Sequence, residues 1–500
     1  MKRHSMDWAG LLAGALFASL PGAGLAAQIA DEAAANDTAV NENPIVFTAQ
    51  SGDTADAFRG EFLVPEYRAD PDSRMIAISY VRFPASGDTS GPPIIYLAGG
   101  PGGSGSGTAR GRRFPLFMAM REHGDVIAFD QRGTGQSQRP PRCISSQASD
   151  DSARVSDVDI VASQRAALDE CLTFWAGEGV DVLGYTTRES VADLSDLRAH
   201  LGADQMALWG ISYGSHLALA ALNDIPDEID RVIIASAEGL DQTVKLPART
   251  DAYIVRLQEA VNTQPAAAAL YPDIAGMMRR VHAQLEAEPI LMQVPQEDGT
   301  SLPFLLQRHH LQQFASGLIA DPANAGLLPA LYAGLERGDT QLPIMLLQYF
   351  WTPGEAISMN AMPTAMDLAS GIDADRLALV EAQAQTSLLG TYLNFPMPQL
   401  SEAIPGLDLG SDFRRGPIGD TPLLLLTGTL DGRTYPRSQR EAVAGLSNVT
   451  QVMVVNAGHN LFMTSPEVGE AMHAFMRSEP VASEEIVIEL PDFLANPFER

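Results

Sequence analysis

Cysteine and positive charge are both scarce in this sequence. Its 500 residues include 2 cysteines, and 33 lysines and arginines stand against 62 acidic residues, for a formal net charge of −29. Two thiols alone make a poor zinc site, and no H-E-x-x-H motif is present, so we expect no metal or other cofactor. The acidic balance argues against sequence-independent binding of nucleic acid, which needs a basic surface. An ordinary share of hydrophobic residues, 45%, without internal repeats, excludes wholesale disorder, collagen and coiled coil.

Long hydrophobic runs are also absent. The stretch WAGLLAGALFASL is 13 residues long, whereas a membrane-spanning helix needs about 20. It follows Lys2 and Arg3 and precedes small residues at Gly24 and Ala26, which is the pattern of a signal peptide over 1–26. An uncleaved anchor is the alternative. We therefore expect a periplasmic or secreted protein with a flexible leader over 27–42 and no stable membrane span after cleavage.

The two cysteines, Cys143 and Cys171, are 28 positions apart. In an oxidising compartment such an isolated pair favours a disulfide over a metal site. Two unrelated buried thiols are the alternative.

Apolar strand patterns alternate with helical patterns along most of the chain. This alternation predicts an α/β fold with a doubly wound, mostly parallel sheet. Strands are expected at 74–83, 93–98, 125–129, 206–211, 231–236, 422–427 and 450–455, and helices at 163–177, 189–201, 213–223, 436–446 and 466–477.

Between 240 and 415 this rhythm is interrupted by segments rich in Ala, Leu, Met and Gln with helical spacing. We expect an inserted helical cap there, with extra helices of one large core as the alternative. The sheet core would then comprise 43–239 and 416–480, followed by an acidic C-terminal tail over 481–500.

The sequence Gly210-Ile211-Ser212-Tyr213-Gly214 lies between an apolar strand pattern and a helix pattern. This is the context of a nucleophile elbow, a turn so sharp that it needs glycine on either side of the serine. The helix N-terminus behind the serine also favours developing negative charge. Ser212 is therefore the candidate nucleophile.

A nucleophilic serine needs a base, and the base needs an orienting carboxylate. Asp431 follows the strand pattern PLLLLTG, and His459 follows TQVMVVNAG. The chain order Ser, Asp, His is that of α/β-hydrolases, and each residue comes just after a strand, where such sheets bind ligands. Ser212, Asp431 and His459 are thus predicted to form a catalytic triad.

Acyl transfer also needs hydrogen-bond donors aimed at the developing oxyanion. The glycine-rich loop GGPGGSG (99–105) follows the strand pattern PIIYLA and lets backbone N–H groups approach a substrate without interference from a Cβ. We expect the amides of Gly100 and Tyr213 to form the oxyanion hole.

The same loop offers a rival interpretation. Gly100 to Gly105 matches G-x-G-x-x-G, follows a strand and precedes a second strand that ends in Asp130, 25 residues after Gly105. On this pattern the protein would bind a dinucleotide. Against this interpretation, an exported protein is separated from the nicotinamide pool. Dinucleotide binding would also leave Ser212, Asp431 and His459 unexplained.

Six motifs in order resemble one known family. They are LAGGPGGSG (97–105), DQRGTGQS (130–137), ESVADLSDLRAHLG (189–202), WGISYGSHLAL (209–219), LLTGTLDGRT (425–434) and NAGHN (456–460). Together they are similar to the proline iminopeptidase and tripeptidyl aminopeptidase branch of the α/β-hydrolases. The resemblance implies a secreted serine exopeptidase with Ser212 as nucleophile, His459 as general base and acid, and Asp431 as orienter. It also implies a core disulfide between Cys143 and Cys171.

Cleavage at a free N-terminus requires a partner for the substrate ammonium. Glu238, just after the strand 231–236, is the candidate amine anchor, with a local turn role as the alternative. The expected function is an aminopeptidase that releases N-terminal residues, proline among them, or short peptides. A carboxylesterase with the same triad is the alternative, since the triad alone does not distinguish a peptide from a small ester as substrate. The sequence leaves the oligomeric state open.

Overall fold

The computed structural model describes residues 42–87 and 91–495. The predicted signal peptide, and the predicted leader except for Glu42, lie outside these residues. Within them, no helix is both long enough and apolar enough to cross a membrane.

The described strands are short and mostly buried. In chain order they are β1 (Glu42–Thr48), β2 (Thr54–Pro65), β3 (Met75–Phe83), β4 (Ile94–Leu97), β5 (Val126–Asp130), β6 (Cys143–Ala148), β7 (Met206–Ile211), β8 (Ile229–Ala235), β9 (Ile290–Pro295), β10 (Ser301–Leu306), β11 (Ala356–Met359), β12 (Leu423–Gly428), β13 (Val449–Val455) and β14 (Glu485–Val487).

Ten of these strands form one sheet in the order β1-β2-β3-β5-β4-β7-β8-β12-β13-β14. The strands from β5 to β14 in that order run parallel, and β1, β2 and β3 form an antiparallel edge. Every residue of β4, β5, β7 and β12 is buried, as expected where helices cover both faces of a parallel sheet. The predicted fold class is confirmed.

The helices cover the sheet and build most of the segment between β8 and β12. They are α1 (Gly105–Arg110), α2 (Phe114–Met120), α3 (Asp157–Gly177), α4 (Thr187–His200), α5 (Tyr213–Asp224), α6 (Pro247–Asn262), α7 (Pro265–Leu270), α8 (Ile274–Ala287), α9 (Arg308–Leu318), α10 (Pro322–Ala325), α11 (Leu327–Glu336), α12 (Gln341–Phe350), α13 (Ala361–Ser370), α14 (Ala374–Ala384), α15 (Met397–Leu400), α16 (Gly410–Phe413), α17 (Pro436–Ala442) and α18 (Pro466–Met476).

The segment 240–415 divides between two hydrophobic clusters. Helices α6 to α12 pack around buried residues such as Tyr253 and Tyr332 in a cluster of their own. Helix α13, by contrast, packs into the main core through residues such as Met362 and Met366. The segment is also not purely helical, because β9 and β10 form a separate hairpin and β11 pairs with β6 of the core.

The C-terminal segment differs from the predicted acidic tail. Within 481–500, β14 adds to the sheet beside β13, and Phe493 is buried against the helices of the inserted segment. A three-residue strand at a sheet edge carries too little hydrophobic periodicity to be recognised in a segment otherwise rich in charge.

The two cysteines form the predicted disulfide, which joins the start of β6 to helix α3. Both residues are buried in the main core. We expect the double substitution Cys143→Ser/Cys171→Ser to lower the free energy of unfolding by about 3.6 kcal/mol through release of the 28-residue loop constraint on the unfolded chain, and the two buried serine hydroxyls add to that loss. Urea denaturation with and without a reductant measures this loss. The wild type should lose stability on reduction and the double variant should not; equal sensitivity of the two would contradict the assignment.

Candidate active site

Ser212 lies on a sharp turn between β7 and α5. Its backbone has φ 56° and ψ −126°, a region that L residues rarely adopt. A Cβ on Gly210 would lie 2.5 Å from the carbonyl oxygen of Gly214, and a Cβ on Gly214 would lie 2.0 Å from that of Leu97. Glycine is therefore required on both sides of the serine, as the motif predicts.

Asp431 and His459 follow the carboxyl ends of β12 and β13, as expected for residues that meet at one sheet edge. The Nδ1 atom of His459 lies 3.1 Å and 3.0 Å from the two carboxylate oxygens of Asp431. Burial of Asp431 alone would raise its pKa, but the imidazole and the donors on Thr434 outweigh burial and hold that pKa below its usual value. Asp431 can thus orient the imidazole as an anion.

The strand β8 connects the serine turn to the histidine loop. The amide of Ser212 donates to the carbonyl of Ala235 at 3.2 Å, and the hydroxyl of the next residue, Ser236, donates to the carbonyl of His459 at 2.8 Å. Two consecutive residues at one strand end therefore fix the backbones of the candidate nucleophile and the candidate base.

Thr434 is a site residue that the sequence analysis missed. Its hydroxyl donates to Oδ2 of Asp431 at 2.7 Å and lies 3.5 Å from Nδ1 of His459. The amides of Arg433 and Thr434 both donate to Oδ1 of Asp431. A hydroxyl residue shortly after the acid is a local signal for such a turn, so the motif DGRT could have indicated it.

We expect Thr434→Val to lower kcat about 10-fold with little change in KM. The substitution removes a hydrogen bond to a buried anion, worth roughly 1.5 kcal/mol or more, while leaving the binding surfaces in place. The matched control is Thr427→Val, in the buried strand β12, whose hydroxyl accepts from Gln451. Steady-state kinetics of both variants makes the comparison, and equal losses in the two would assign Thr434 a purely structural role.

The glycine-rich loop after β4 lies directly against the serine turn. A Cβ on Gly99 would come within 2.9 Å of the carbonyl oxygen of Ile211 and 3.1 Å of Cβ of Ser212. In the described part of the chain, neither the Gly100 amide nor the Tyr213 amide donates a hydrogen bond to the protein. Both N–H groups therefore stay available for an oxyanion, the role that the sequence suggested for them.

Asp130 holds this loop in place. Its carboxylate accepts from the hydroxyls of Ser104 and Ser106 and from the amides of Ser106 and Gln136. The side chain is fully buried, so it is not placed to bind a ribose hydroxyl. The rival dinucleotide interpretation thus loses the acidic residue on which it depended.

A segment between α9 and α10 supports the histidine loop. The amide of His459 donates to the carbonyl of Ala320 at 2.8 Å, and Asp321 accepts from the amide and side chain of Asn460. A Cβ on Gly458 would lie 2.5 Å from a carboxylate oxygen of Asp321. The inserted segment is therefore part of the site, a contact that no local sequence pattern indicates.

The motifs DQRG and ADLSD meet in a buried ion pair. Arg132 is fully buried and donates to both carboxylate oxygens of Asp193 at 2.7 Å and 2.6 Å. The same guanidinium also donates to the carbonyl of Glu66. Such a pair fixes the turn after β5 to helix α4 and so supports the loop that Asp130 holds.

Glu238 follows β8 at the same edge of the sheet, as predicted, but its carboxylate already has a cationic partner. The ammonium of Lys245 lies 2.6 Å from Oε2, and the two side chains are 17% and 7% exposed. Burial alone would raise the pKa of Glu238; Lys245 and the nearby His216 outweigh it and keep that pKa below its usual value. Asn394 holds the backbone of Lys245 through two hydrogen bonds of 2.7 Å.

Asp367 on α13 is a second carboxylate at this edge, and the sequence analysis did not identify it. In the part of the chain that is described, its side chain has no hydrogen-bond partner. Burial and the charge of Glu238 raise its pKa to about 7, while Lys245 and Arg433 act in the opposite direction. Helix α13 also covers the glycine-rich loop, since Pro363 lies 3.4 Å from the Cβ position of Gly102.

Comparison with known proteins agrees with this architecture. Residues 92–283 match a family described as alpha/beta hydrolase fold. The chain is 32% identical over 188 residues to the serine protease Hip1 of Mycobacterium tuberculosis, covering 36% of each chain. It is 28% identical over 192 residues to a tripeptidyl aminopeptidase of Streptomyces coelicolor, covering 35% of this chain and 34% of that one. A proline iminopeptidase of Xanthomonas citri is 30% identical over 142 residues, which cover 28% of this chain and 31% of that one.

The chain thus spans about a third of the length of the curated relatives it matches. The sheet order and the matched family agree on an α/β-hydrolase fold. Over the matched region the chain is similar to relatives named as a serine protease, a tripeptidyl aminopeptidase and a proline iminopeptidase, which confirms the resemblance stated from the six motifs.

Proposed function

We propose that this protein is a periplasmic or secreted serine aminopeptidase that releases N-terminal residues or short peptides. The observation that carries the proposal is the carboxylate of Asp367, which has no hydrogen-bond partner among the described residues and lies on helix α13, the helix that packs on the glycine-rich loop. Support for a position near the Ser-Asp-His group comes from Arg433, two residues after Asp431, and from Glu238, because the charges of both act on the pKa of Asp367. Export rests on the signal-peptide pattern of residues 1–26.

The proposed reaction has two halves. The Ser212 hydroxyl attacks the substrate carbonyl while His459 takes its proton, and Asp431 orients the imidazole and stabilises its charged form. The amides of Gly100 and Tyr213 stabilise the oxyanion. His459 then protonates the leaving amine, and water, activated by the same imidazole, hydrolyses the acyl-enzyme and restores the serine.

Amine recognition is the step that separates a peptidase from an esterase here. Since Lys245 neutralises Glu238, the carboxylate without a partner is Asp367, whose ionisation burial opposes. A substrate ammonium would supply the missing partner and stabilise the charged carboxylate. We therefore place the substrate amine at Asp367, while Glu238 stays in its ion pair with Lys245.

The test compares amide substrates with a free and a blocked N-terminus. Asp367→Asn should lower kcat/KM for aminoacyl, prolyl or tripeptidyl amides about 10- to 100-fold, the loss of one charge-assisted contact. Turnover of an N-acetylated amide or a short ester should stay unchanged. Glu381→Gln, an exposed acid on helix α14, is the matched control. Turnover of esters with none of any amide would instead establish the esterase.

The same site predicts a dependence on pH. Because the pKa of Asp367 lies near 7, the carboxylate loses its charge below that pH, and KM for free-amine substrates should rise. The substrate amine titrates in the same range, so the pH profile of KM is compared between the wild type and Asp367→Asn. The variant should lose the part of the pH dependence of KM that the carboxylate contributes. Identical profiles for wild type and variant would exclude Asp367 as the anchor.

A further inference from the structure

Three side chains with metal-binding atoms converge far from the candidate active site. Glu122 and His123 follow helix α2, and His473 lies in the last turn of helix α18. One ligand atom from each lies within 4.8 Å of the others. We propose that Glu122, His123 and His473 form a binding site for Zn²⁺, with water completing a four-coordinate shell.

The distances suit a tetrahedral ion. Ligand atoms about 2.0 to 2.1 Å from a tetrahedral Zn²⁺ lie about 3.3 Å from one another. Here Nε2 of His123 is 2.7 Å from Nδ1 of His473, and that Nδ1 is 3.8 Å from Oε2 of Glu122. The third pair, a ring nitrogen of His123 and a carboxylate oxygen of Glu122, lies within 4.8 Å, so shifts of up to about 1.5 Å in partly exposed side chains bring all three pairs to the tetrahedral value.

The charge states also suit a metal. The imidazoles of His123 and His473 offer nitrogen donors and the carboxylate of Glu122 offers an anionic oxygen donor, which are ligand types that Zn²⁺ takes in proteins. The C-terminal end of α18 adds the negative end of a helix dipole. Arg477 lies 4.0 Å from Glu122 but 2.8 Å from Glu479. Arg477 therefore keeps its ion pair with Glu479 when a metal ion binds Glu122.

The position indicates a role in stability rather than in the reaction. Asp125 directly precedes β5, so His123 lies at the amino edge of the parallel strands, whereas Ser212, Asp431 and His459 follow carboxyl ends. His123 and His473 are 350 positions apart in the chain. An ion between them would cross-link the loop before β5 to the last long helix and stabilise the folded state.

The experiment is calorimetric titration of Zn²⁺ into the untagged, chelator-stripped protein, with Mg²⁺ as the comparison ion. We expect saturable one-to-one binding of Zn²⁺, a rise in Tm with added Zn²⁺, and no competition from Mg²⁺, which prefers oxygen ligands. Loss of an outer-shell partner already weakens metal binding by about 10- to 100-fold. His473→Ala and His123→Ala should therefore each weaken binding at least about 10-fold.

Two further variants keep the result interpretable. Glu122→Gln preserves the shape and should also weaken binding, whereas His200→Ala, a half-buried histidine on α4 that contacts Tyr80, should leave it unchanged. Hydrolytic activity of each variant reports that it is folded, and because the site lies away from the triad, that activity should stay at the wild-type level. Absence of saturable Zn²⁺ binding, or equal binding by wild type and the His123→Ala/His473→Ala variant, would overturn the proposal.

Discussion

Ser212→Ala should lower kcat by a factor on the order of 10⁴ to 10⁶, the range in which removal of a serine nucleophile reduces catalysis to what binding and the oxyanion donors supply. Alanine can occupy the same turn, because the glycines at 210 and 214 provide the clearance that the turn needs. We therefore expect KM and thermal stability to stay near their wild-type values. Initial rates on the best amide substrate, with enzyme concentration raised for the variant, measure the loss.

Ser190→Ala is the matched control for this substitution. Ser190 lies on α4, fully buried, and its hydroxyl has no hydrogen-bond partner among the described residues. Removal of this hydroxyl should leave turnover unchanged. Full activity of Ser212→Ala would show that Ser212 is not the nucleophile and would overturn the proposed mechanism.

Asp431→Asn should lower kcat by a factor on the order of 10⁴, because the substitution stabilises the tautomer of His459 that cannot act as a base toward the serine. In the structure Oδ1 of Asp431 accepts from two backbone amides, at 2.8 Å and 2.9 Å. An asparagine would place its oxygen there and turn its NH₂ group toward Nδ1 of His459. The imidazole would then accept at Nδ1 and carry its proton on Nε2, where it cannot take the proton of the serine.

The control for Asp431→Asn is Asp375→Asn, an exposed acid in the first turn of helix α14. The kinetic readout is kcat together with a chemical-shift measurement of the His459 tautomer. A loss of activity without a change of tautomer would contradict this explanation of the role of Asp431.

The parts of the site that the sequence predicted depend on local constraints. The Gly-x-Ser-x-Gly turn needs small residues within a few positions of the serine, because a Cβ at 210 or 214 would collide with a backbone carbonyl oxygen. Asp431 and His459 follow strongly apolar strands whose carboxyl ends must meet at one edge of a parallel sheet. Periodicity and strand order therefore sufficed to bring these residues together.

The missed features depend on contacts between distant parts of the chain. Ala320 and Asp321 support the histidine loop from more than a hundred positions away, and Asp367 comes to the sheet edge because α13 packs into the main core. Glu238 was found as a carboxylate at this edge, but its pairing with Lys245 depends on how the segment after β8 turns back. Strands β1, β2 and β14 at the two ends of the sheet were also missed, since their hydrophobic patterns are weak or alternating.

Covalent capture of the serine tests the central claim most directly. A fluorophosphonate reacts with an activated serine, forming an O–P bond at Oγ and releasing fluoride, and intact-mass measurement followed by peptide mapping locates the adduct. The proposed mechanism predicts one equivalent of label on Ser212, no label on Ser212→Ala, and slow labelling of Asp431→Asn. Label on another residue, or wild-type protein that remains unlabelled under conditions in which it hydrolyses substrate, would contradict it.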